Sequence, residues 1–322
     1  MASPPDLDPT ATLRFIVNGH SGSQDGEGTR EAIESTLKFA GRPSEVIYCQ
    51  PGELPRVAAK AAKQALAERS AIVAVGGDGT INAVARAAHA SGCAMGVIPR
   101  GTFNYFARTH GLPLDAAKAT AQLLEANPVP VQVGAINEQV FLVNASVGLY
   151  PQLLEDREAW KSRFGRNRLV ALGAAFATLM RTPNRLKLNI ELEGVKREVR
   201  TLTLFVGNNR LQLEQLGVQS GEHDGDATDT GRVTAVVLKP IGTLGMLGLM
   251  LRGALGSLGD AEGIEHFEFD EMVVKPPRMM QLRRMKVAFD GEVARMKPPL
   301  RFRVMPEPLY LLKPGTTAEV AA

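Results

Sequence analysis

Residues 71–80 read Ala-Ile-Val-Ala-Val-Gly-Gly-Asp-Gly-Thr, a short apolar run that passes directly into a glycine-rich turn. The apolar run predicts a central parallel strand, because such strands are buried on both faces of their sheet. The glycines allow backbone angles and a close approach to a ligand that side chains would prevent. Thr80 then opens a predicted helix over residues 81–91. The segment therefore predicts a strand, a tight turn and a helix, in that order.

The turn between this strand and this helix is suited to bind an anion. Backbone N–H groups at the start of a helix point outward, and the helix dipole favours negative charge there. Asp78 lies in the same turn and would repel a phosphate. Its presence therefore calls for a metal ion or for a hydroxyl group to deprotonate. A tight turn without a ligand is the alternative, since turn chemistry alone explains glycine and aspartate.

The first part of the chain, from residue 13 to about residue 136, alternates short apolar runs with longer helical patterns. This alternation is typical of a parallel sheet flanked by helices. Strands are predicted over residues 13–17, 45–49, 72–75 and 95–98, and helices over residues 29–39, 57–69 and 116–126. Turn residues follow three strands, at 18–22, 76–80 and 101–104. Ligands of open α/β sheets bind beyond the carboxyl ends of strands, so we expect these three loops to meet at one crevice.

After residue 128 the pattern changes to an alternation that is typical of antiparallel strands. Strands are predicted over residues 129–133, 140–144, 186–193, 202–206, 233–238, 266–274, 281–289 and 309–312, with one helix over residues 166–180. The predicted fold class is an α/β amino-terminal domain with a parallel sheet, followed by a mainly antiparallel β carboxyl-terminal domain built as a sandwich or curled sheet. The predicted domain limits are residues 11–136 and 137–315, and a return of the last strand to the first domain is left open.

Charge and cysteine usage narrow the function classes. The net charge of +3 over 322 residues is too small for a dedicated nucleic-acid-binding protein, and no basic stripe with interleaved aromatic residues occurs. Cys49 and Cys93 lack the spacing of a disulfide framework or a zinc site, which fits a reducing cytoplasm. The amino terminus lacks the regions of a secretory signal. Residues 240–259 are apolar, but Arg252 and six glycines favour a packed helix over a transmembrane segment.

Basic residues crowd one short segment near the carboxyl terminus. Arg278, Arg283, Arg284 and Lys286 occur within nine positions of each other. A solvated strand face explains this cluster as well as contact with a membrane surface does.

Four motifs in order along the chain carry a family resemblance. They are Asn18-Gly19-His20-Ser21-Gly22, Gly76-Gly77-Asp78-Gly79-Thr80, Gly101-Thr102-Phe103-Asn104 and Asp290-Gly291-Glu292. Together they resemble the diacylglycerol kinase catalytic family, which includes sphingosine kinases and many bacterial lipid kinases. The resemblance spans about residues 13–314. The Gly-Gly-Asp-Gly loop is also shared with NAD kinases and phosphofructokinases, whose fold the α/β domain is therefore expected to resemble.

The resemblance implies a kinase that transfers the γ-phosphate of ATP, with Mg²⁺, to the hydroxyl of a diacylglycerol-like lipid. In family terms Asp78 and Glu292 are both considered as acceptors of the hydroxyl proton, and the residues leave that choice open. The two carboxylates are expected to face each other between the domains. The implied nucleotide-binding residues are Asn18, Ser21, Gly22, Gly76, Gly77, Gly79, Thr80, Asn82, Gly101, Thr102 and Asn104.

Three positions depart from the family pattern or extend it. Ala83 stands where the family often has glutamate, and Tyr105 stands where it often has aspartate. Both departures bear on the adenosine end of the nucleotide. Some bacterial members hold a structural magnesium ion in an Asp-Gly turn, and Asp229 of the sequence Asp-Thr-Gly is the candidate ligand here.

Three functions are therefore compatible with the sequence. The first is a cytoplasmic lipid kinase that associates transiently with the membrane surface where its lipid substrate lies. The second is a kinase of a soluble acceptor such as NAD, although the Gly-Ser-Thr-Ala segment expected of NAD kinases is absent. The third is a non-catalytic nucleotide- or lipid-binding homologue. The identity of the lipid and the oligomeric state, a homo-oligomer included, are left open, and Asp290-Gly291 is by itself also a common hairpin signal.

Overall fold

The computed structural model describes residues 3–18, 26–148, 151, 186–192, 194–208, 231–239 and 264–314. The predicted helix over residues 166–180 and the apolar segment 240–259 lie outside these ranges. Within the described ranges, no helix combines the length and the apolar character that crossing a membrane requires. The chain divides into two compact units, of which unit 1 comprises Met1–Gln132 and Pro306–Ala322 and unit 2 comprises Val133–Met305.

The described strands are β1 Leu13–Asn18, β2 Ser44–Cys49, β3 Ala71–Gly76, β4 Ala94–Pro99, β5 Ala126–Val131, β6 Gly134–Ile136, β7 Gln139–Phe141, β8 Asn144–Gly148, β9 Leu186–Leu192, β10 Val195–Thr201, β11 Thr203–Gly207, β12 Val233–Leu238, β13 Ile264–Phe269, β14 Glu271–Lys275, β15 Met285–Phe289, β16 Glu292–Met296, β17 Leu300–Val304 and β18 Leu309–Pro314. The described helices are α1 Gly26–Phe39, α2 Leu54–Ala67, α3 Asp78–Ser91, α4 Tyr105–Thr109 and α5 Ala116–Leu124. A 3₁₀ turn occupies Arg278–Met280.

Unit 1 is built on a six-stranded sheet in the order β2-β1-β3-β4-β18-β5. Neighbours from β2 to β18 pair in parallel, and β5 runs antiparallel to β18. β3 and β4 are buried along their whole length, as a central parallel strand requires. Helices α1 and α5 pack against Phe15, Val73 and Ile98, while α2 and α3 contact each other and β3. The mostly parallel α/β fold predicted for this part of the chain is confirmed.

In its described residues, unit 2 contains two six-stranded sheets, in the orders β10-β9-β14-β17-β6-β7 and β13-β12-β11-β8-β15-β16. Every neighbouring pair in both sheets is antiparallel. One apolar core joins them, with Leu188 and Phe302 from the first sheet and Val147 and Val206 from the second. Alternate residues of each strand therefore face a shared core, which is the arrangement of a β-sandwich. The mainly antiparallel fold class predicted here is confirmed.

Several predicted elements differ in detail from the structure. The single strand predicted over residues 266–274 is two strands, β13 and β14, which belong to different sheets and are separated at Asp270. The strand predicted over residues 129–133 is β5, which joins the sheet of unit 1. The strand predicted over residues 281–289 begins at Met285, because a 3₁₀ turn precedes it. Helix α4 and strands β6, β10, β16 and β17 were not predicted. Local alternation shows that a segment is extended, but it does not show with which sheet it pairs.

Candidate functional site

The loops after β3 and β4, which are the second and third of the three predicted loops, meet at the carboxyl edge of the sheet in unit 1. Strand β1 lies beside β3 in the parallel sheet and ends with Asn18 at the same edge. Asn18 Nδ2 donates to Thr80 Oγ1 at 3.4 Å, which links the end of β1 to the second loop. The N–H of Arg100 donates to the carbonyl of Gly76 at 2.8 Å, which links the second to the third. Ser21 and Gly22 of the first motif lie outside the described residues.

Close packing explains three of the glycines in these loops. A Cβ at Gly101 would lie 2.9 Å from Gly77 Cα and 2.8 Å from Asn104 Oδ1. A Cβ at Gly76 would lie 2.6 Å from Thr80 Oγ1. The second and third loops therefore touch through backbone atoms, with no room for side chains between them.

Gly79 is different, because packing does not explain it. This residue is exposed, and no heavy atom of the described residues lies within 4 Å of the Cβ that an alanine would place there. It lies in the first turn of α3, where backbone N–H groups lack partners within the helix. The absence of a side chain therefore opens this helix end to an approaching ligand rather than to another part of the protein.

Asp78 is the first residue of α3, and its two carboxylate oxygens have different surroundings. Oδ2 accepts a hydrogen bond from the N–H of Asn104 at 3.0 Å. Oδ1 is buried and accepts no hydrogen bond from any described residue. Burial raises the pKa of this carboxyl, and backbone N–H groups of Asn104, Phe106 and Tyr105 oppose that rise. Oδ2 thus links the second loop to the third, and Oδ1 has no protein partner in the described part of the chain.

Asn104 closes the third loop on itself. Its backbone is in the left-handed region, at φ 51°. Its side-chain Oδ1 accepts from the N–H of Gly101 at 2.7 Å, and its Nδ2 donates to the carbonyl of Gly101 at 2.9 Å. The side chain therefore shapes the loop. Of the other residues implied in nucleotide binding, Thr102 is exposed and Asn82 is buried within α3.

A cavity of about 370 Å³ opens beside the third loop of unit 1. Gly101 and Asn104 line one part of it, and Gly28, Leu114 and Asp115 line another. Asp115 caps helix α5 by accepting a hydrogen bond from the N–H of Lys118 at 2.9 Å. Gly101 and Asn104 were predicted as nucleotide-binding residues, whereas Gly28, Leu114 and Asp115 were not. The signal for Asp115 was its place as a cap residue directly before the predicted helix at residue 116.

In unit 2, the Asp-Gly-Glu motif forms the turn of the hairpin between β15 and β16. Asp290 and Gly291 both have positive φ, at 48° and 86°, as a two-residue type I′ turn requires. Phe289 pairs with Glu292 across the turn. Glu292 is the first residue of β16 and its side chain is exposed. The hairpin that Asp290-Gly291 indicates by itself is therefore present, with Glu292 displayed at its end.

Asp290 has a structural role that was not predicted from the sequence. Its carboxylate accepts hydrogen bonds from three consecutive backbone N–H groups, those of Leu142 at 2.8 Å, Val143 at 2.8 Å and Asn144 at 3.0 Å. Asn208 holds the same segment from the other side, since its Nδ2 donates to the carbonyl of Leu142 at 3.0 Å. The motif therefore contains two carboxylates with different surroundings. That of Asp290 accepts hydrogen bonds from backbone N–H groups, and that of Glu292 is exposed.

Comparison with known proteins relates most of unit 1 to one family. The family model for the diacylglycerol kinase catalytic domain matches residues 12–136, which are less than half of the chain. The resemblance that the four motifs carry is confirmed. The matched residues include the end of β1 and the loops after β3 and β4, and so they include Asp78.

Individual relatives agree with the family. "Probable lipid kinase YegS-like" of Cronobacter sakazakii is 33% identical over 139 residues, which cover 42% of this chain and 44% of that relative. The alignment thus spans less than half the length of that relative. "Putative lipid kinase SH2167" of Staphylococcus haemolyticus is 26% identical over 316 residues, covering 95% of this chain and 97% of that protein. The crystal structure of a diacylglycerol kinase from Bacillus anthracis str. Sterne has the same fold, with a TM-score of 0.69 at 20% identity, covering 94% of this chain and 97% of that one.

The two departures from the usual diacylglycerol kinase pattern lie in different surroundings. Ala83 is half-buried within α3. Tyr105 is exposed at the start of α4, and its ring stacks on that of Phe103 with centroids 5.3 Å apart and planes at 6°. An exposed aromatic pair therefore borders the third loop, at a position where the family often has a carboxylate.

The remaining implied residues are not brought into one metal centre. No group of three or more histidine, cysteine or acidic side chains in the described ranges could hold a metal ion, and Asp229 lies outside those ranges. Asp78 belongs to unit 1 and Glu292 to unit 2. That the two carboxylates face each other stays a prediction.

Two glycine substitutions separate packing from ligand access in these loops. Gly101→Ala is expected to lower the free energy of unfolding by about 1–3 kcal/mol, because the new Cβ overlaps the backbone of Gly77. Gly79→Ala is expected to leave stability unchanged or to raise it by roughly 0.5 kcal/mol, since alanine favours helix and meets open space. Thermal unfolding of both variants measures the difference. Equal melting temperatures for Gly101→Ala and the wild type would contradict the close contact.

Proposed function

We propose that this chain is an ATP-dependent lipid kinase that transfers the γ-phosphate to the hydroxyl of a diacylglycerol-like acceptor. One observation carries the proposal: Asp78 combines a buried oxygen lacking a described partner with a position at the start of α3, where the end of β1 and the loops after β3 and β4 meet. A helix start favours phosphate, and a carboxylate beside a bound phosphate needs a positively charged or proton-bearing partner to offset their repulsion. Both partners are present when Mg-ATP and an alcohol bind together.

The phosphates of ATP bind at the start of α3. The N–H groups of Thr80 and Ile81 donate to the carbonyl of Gly77, at 2.9 and 3.0 Å. The N–H groups that contact the phosphates therefore belong to the turn before Thr80. Gly79 presents its backbone there without a side chain. The contact between Gly77 and Gly101 keeps the turn in one conformation. A preformed turn reduces the ordering cost of binding a flexible triphosphate.

The other end of the nucleotide occupies the cavity beside the third loop. Its volume of about 370 Å³ lies in the range of roughly 300–1,000 Å³ that is usual for small-molecule pockets. Gly101 and Asn104 belong both to the cavity wall and to the loop that Asp78 fastens. The same loop therefore connects the phosphate site with the nucleoside site.

The transfer step exchanges one bond to phosphorus for another. The oxygen of the lipid hydroxyl forms a bond to the γ-phosphorus, the bond from that phosphorus to the bridging oxygen of ADP breaks, and the hydroxyl proton passes to a carboxylate. Asp78 is one candidate for that carboxylate and Glu292 is the other. The raised pKa of Asp78 brings it closer to the value that favours proton acceptance near neutral pH.

The residues present also fit a magnesium ion. Carboxylate oxygens are the ligands that Mg²⁺ prefers, and Asp78 Oδ1 is such an oxygen without a described partner. Asp78 would hold the ion through this atom in the case where Glu292 accepts the hydroxyl proton. When bound, the ion supplies positive charge that offsets the charge of the phosphates.

Phosphate transfer from γ-labelled Mg-ATP tests the proposal. The acceptors are diacylglycerol, a sphingosine-like base and a polyprenol in mixed micelles, with NAD and fructose 6-phosphate as soluble acceptors. We expect label in a lipid fraction and none in the soluble acceptors. Transfer of label to NAD alone would contradict the proposed lipid kinase function and indicate a kinase of a soluble acceptor. Calorimetric binding of ATP without transfer to any acceptor would indicate a non-catalytic homologue.

A further inference from the structure

We propose that residues 276–284, the loop between β14 and β15, dock the protein on an anionic lipid surface. The loop reads Pro-Pro-Arg-Met-Met-Gln-Leu-Arg-Arg, and we refer to it as the Arg-Met loop. The inference deepens the proposed function, on which its biological sense rests, because a lipid kinase has to reach an acceptor held in a membrane. The docking itself involves neither nucleotide nor transfer.

Large apolar side chains at the tip of the Arg-Met loop are exposed to solvent. Met279 is 97% exposed, Leu282 is 100% exposed and Met280 is 47% exposed. Three such side chains are exposed within four positions of the chain, and exposed apolar groups concentrated in this way mark sites of interaction. Burial of these side chains in another apolar phase would be favourable, since it removes their area from water.

The exposure follows from a defined backbone. The N–H of Met280 donates to the carbonyl of Pro277 at 2.8 Å, and the N–H of Arg283 donates to that of Met280 at 3.0 Å. Pro276 is buried where the loop begins, and Met285 is buried where it ends. Tight turns anchored at both ends therefore hold Met279 and Leu282 outward.

The charge of the loop selects the partner. Five cationic residues and no acidic residue occur between Lys275 and Phe289. Lys275 pairs with Glu191 at 3.4 Å. Arg278, Arg283 and Arg284 are exposed, and none of them forms an ion pair with a carboxylate of the described residues. Positive charge that no carboxylate of the described residues pairs with thus flanks an exposed apolar tip.

An anionic bilayer surface offers both interactions at once. Its phosphate groups attract arginine side chains within about one Debye length of the surface. Beneath these groups, the boundary of the acyl chains accepts methionine and leucine side chains. A nucleic acid would provide phosphates but no apolar phase for Met279 and Leu282. The combination on one loop therefore favours a lipid surface.

Sedimentation with vesicles tests the docking of the full chain without nucleotide. Vesicles of phosphatidylcholine mixed with phosphatidylglycerol are expected to bind the protein, and vesicles of phosphatidylcholine alone are not. Arg278→Gln combined with Arg283→Gln and Arg284→Gln should weaken binding on the order of 100-fold, because each arginine contributes a factor of roughly five. Met279→Ser combined with Leu282→Ser should weaken binding by roughly tenfold or more. Both variants change exposed side chains, so their melting temperatures should equal that of the wild type.

A matched control comes from the hairpin between β9 and β10. Val195 is 68% exposed there, and it is followed by Lys196 and Arg200, which lie 3.9 Å from Glu191 and 3.6 Å from Glu198. Val195→Ser with Lys196→Gln and Arg200→Gln should leave vesicle binding unchanged. An equal loss in this control, or unchanged binding in both Arg-Met loop variants, would overturn the proposal.

Two further outcomes distinguish docking on lipid from self-association and from catalysis. A concentration-dependent dimer that Met279→Ser and Leu282→Ser abolish, without vesicle binding, would assign the loop to a second copy of the chain and overturn the proposal. Vesicle binding in a protein that transfers no phosphate would support docking and reject the proposed kinase function. Transfer to detergent-dispersed lipid without vesicle binding would support the proposed kinase function and reject docking through the Arg-Met loop.

Discussion

Asp78→Asn is expected to lower phosphate transfer to a lipid by about 10³-fold, while the melting temperature at neutral pH stays the same or rises. The substitution keeps the shape of the side chain and an oxygen that can accept from the N–H of Asn104. It removes the negative charge and the capacity to accept a proton. Transfer from labelled ATP and thermal unfolding, measured on the same preparations, give the two results.

The expected stability follows from the pKa of Asp78, which burial raises above its ordinary value. In the folded protein this carboxyl holds its proton to a higher pH than it does in the unfolded chain. Folding is therefore favoured at pH values below the unfolded pKa, and that advantage is lost as the pH rises through the folded pKa. Asparagine carries no charge at any pH. The stability of the variant relative to the wild type should thus be greatest at neutral pH and decline in acid.

The pH dependence of transfer provides a second readout. If Asp78 accepts the hydroxyl proton, wild-type activity should fall in acid at a pH above the range of an ordinary carboxyl, because the group must be ionised. Asp8→Asn is the matched control, since Asp8 is a partly exposed carboxylate of unit 1 that also accepts a hydrogen bond from a backbone N–H, that of Thr10 at 2.7 Å. Its transfer activity should equal that of the wild type. Activity of Asp78→Asn within tenfold of the wild type would instead leave Asp78 with the loop-fastening role alone.

The sequence predicts the edge of the sheet in unit 1 because the relevant rules are local. An apolar run followed by glycines specifies both β3 and the turn at Gly77. The carboxyl ends of parallel strands lie on one side of a sheet, so the loops after β1, β3 and β4 were expected to meet. Hydrogen bonds from Asn18 and Arg100 show this contact for the end of β1 and the loops after β3 and β4, while the loop after β1 lies outside the described residues. Here the order of motifs along the chain contains nearly all of the spatial information.

Unit 2 is less predictable, because its contacts join distant segments. The alternation of apolar residues continues across Asp270, yet the chain passes there from one sheet to the other. Partners such as Leu142 and Asp290 are separated by 148 positions. A side chain that accepts from backbone N–H groups needs no sequence pattern around those groups, since every residue except proline provides one. The sequence therefore marked Asp290 as a turn residue and did not reveal what its carboxylate holds.

Asp290→Ala is expected to lower the free energy of unfolding by about 4 kcal/mol, or about 10³-fold in the ratio of folded to unfolded protein. The alanine removes the acceptor of three backbone hydrogen bonds, those from Leu142, Val143 and Asn144. Each hydrogen bond to a charged group is worth roughly 1.5–3 kcal/mol, and water replaces part of the loss because the side chain is half-buried. Alanine also tolerates the φ of 48° less well than aspartate. Chemical denaturation of the variant measures the change.

Glu292→Gln is the matched control, two positions along the same motif. Its side chain is exposed, so the variant should unfold at the same denaturant concentration as the wild type, while transfer falls by on the order of 10²-fold or more if this carboxylate takes part in the reaction. Asp290→Asn should lie between the wild type and Asp290→Ala in stability, because one carbonyl oxygen remains as an acceptor. Stability lost with Glu292→Gln and kept with Asp290→Ala would reverse the two roles, and the catalytic candidate in unit 2 would then be Asp290.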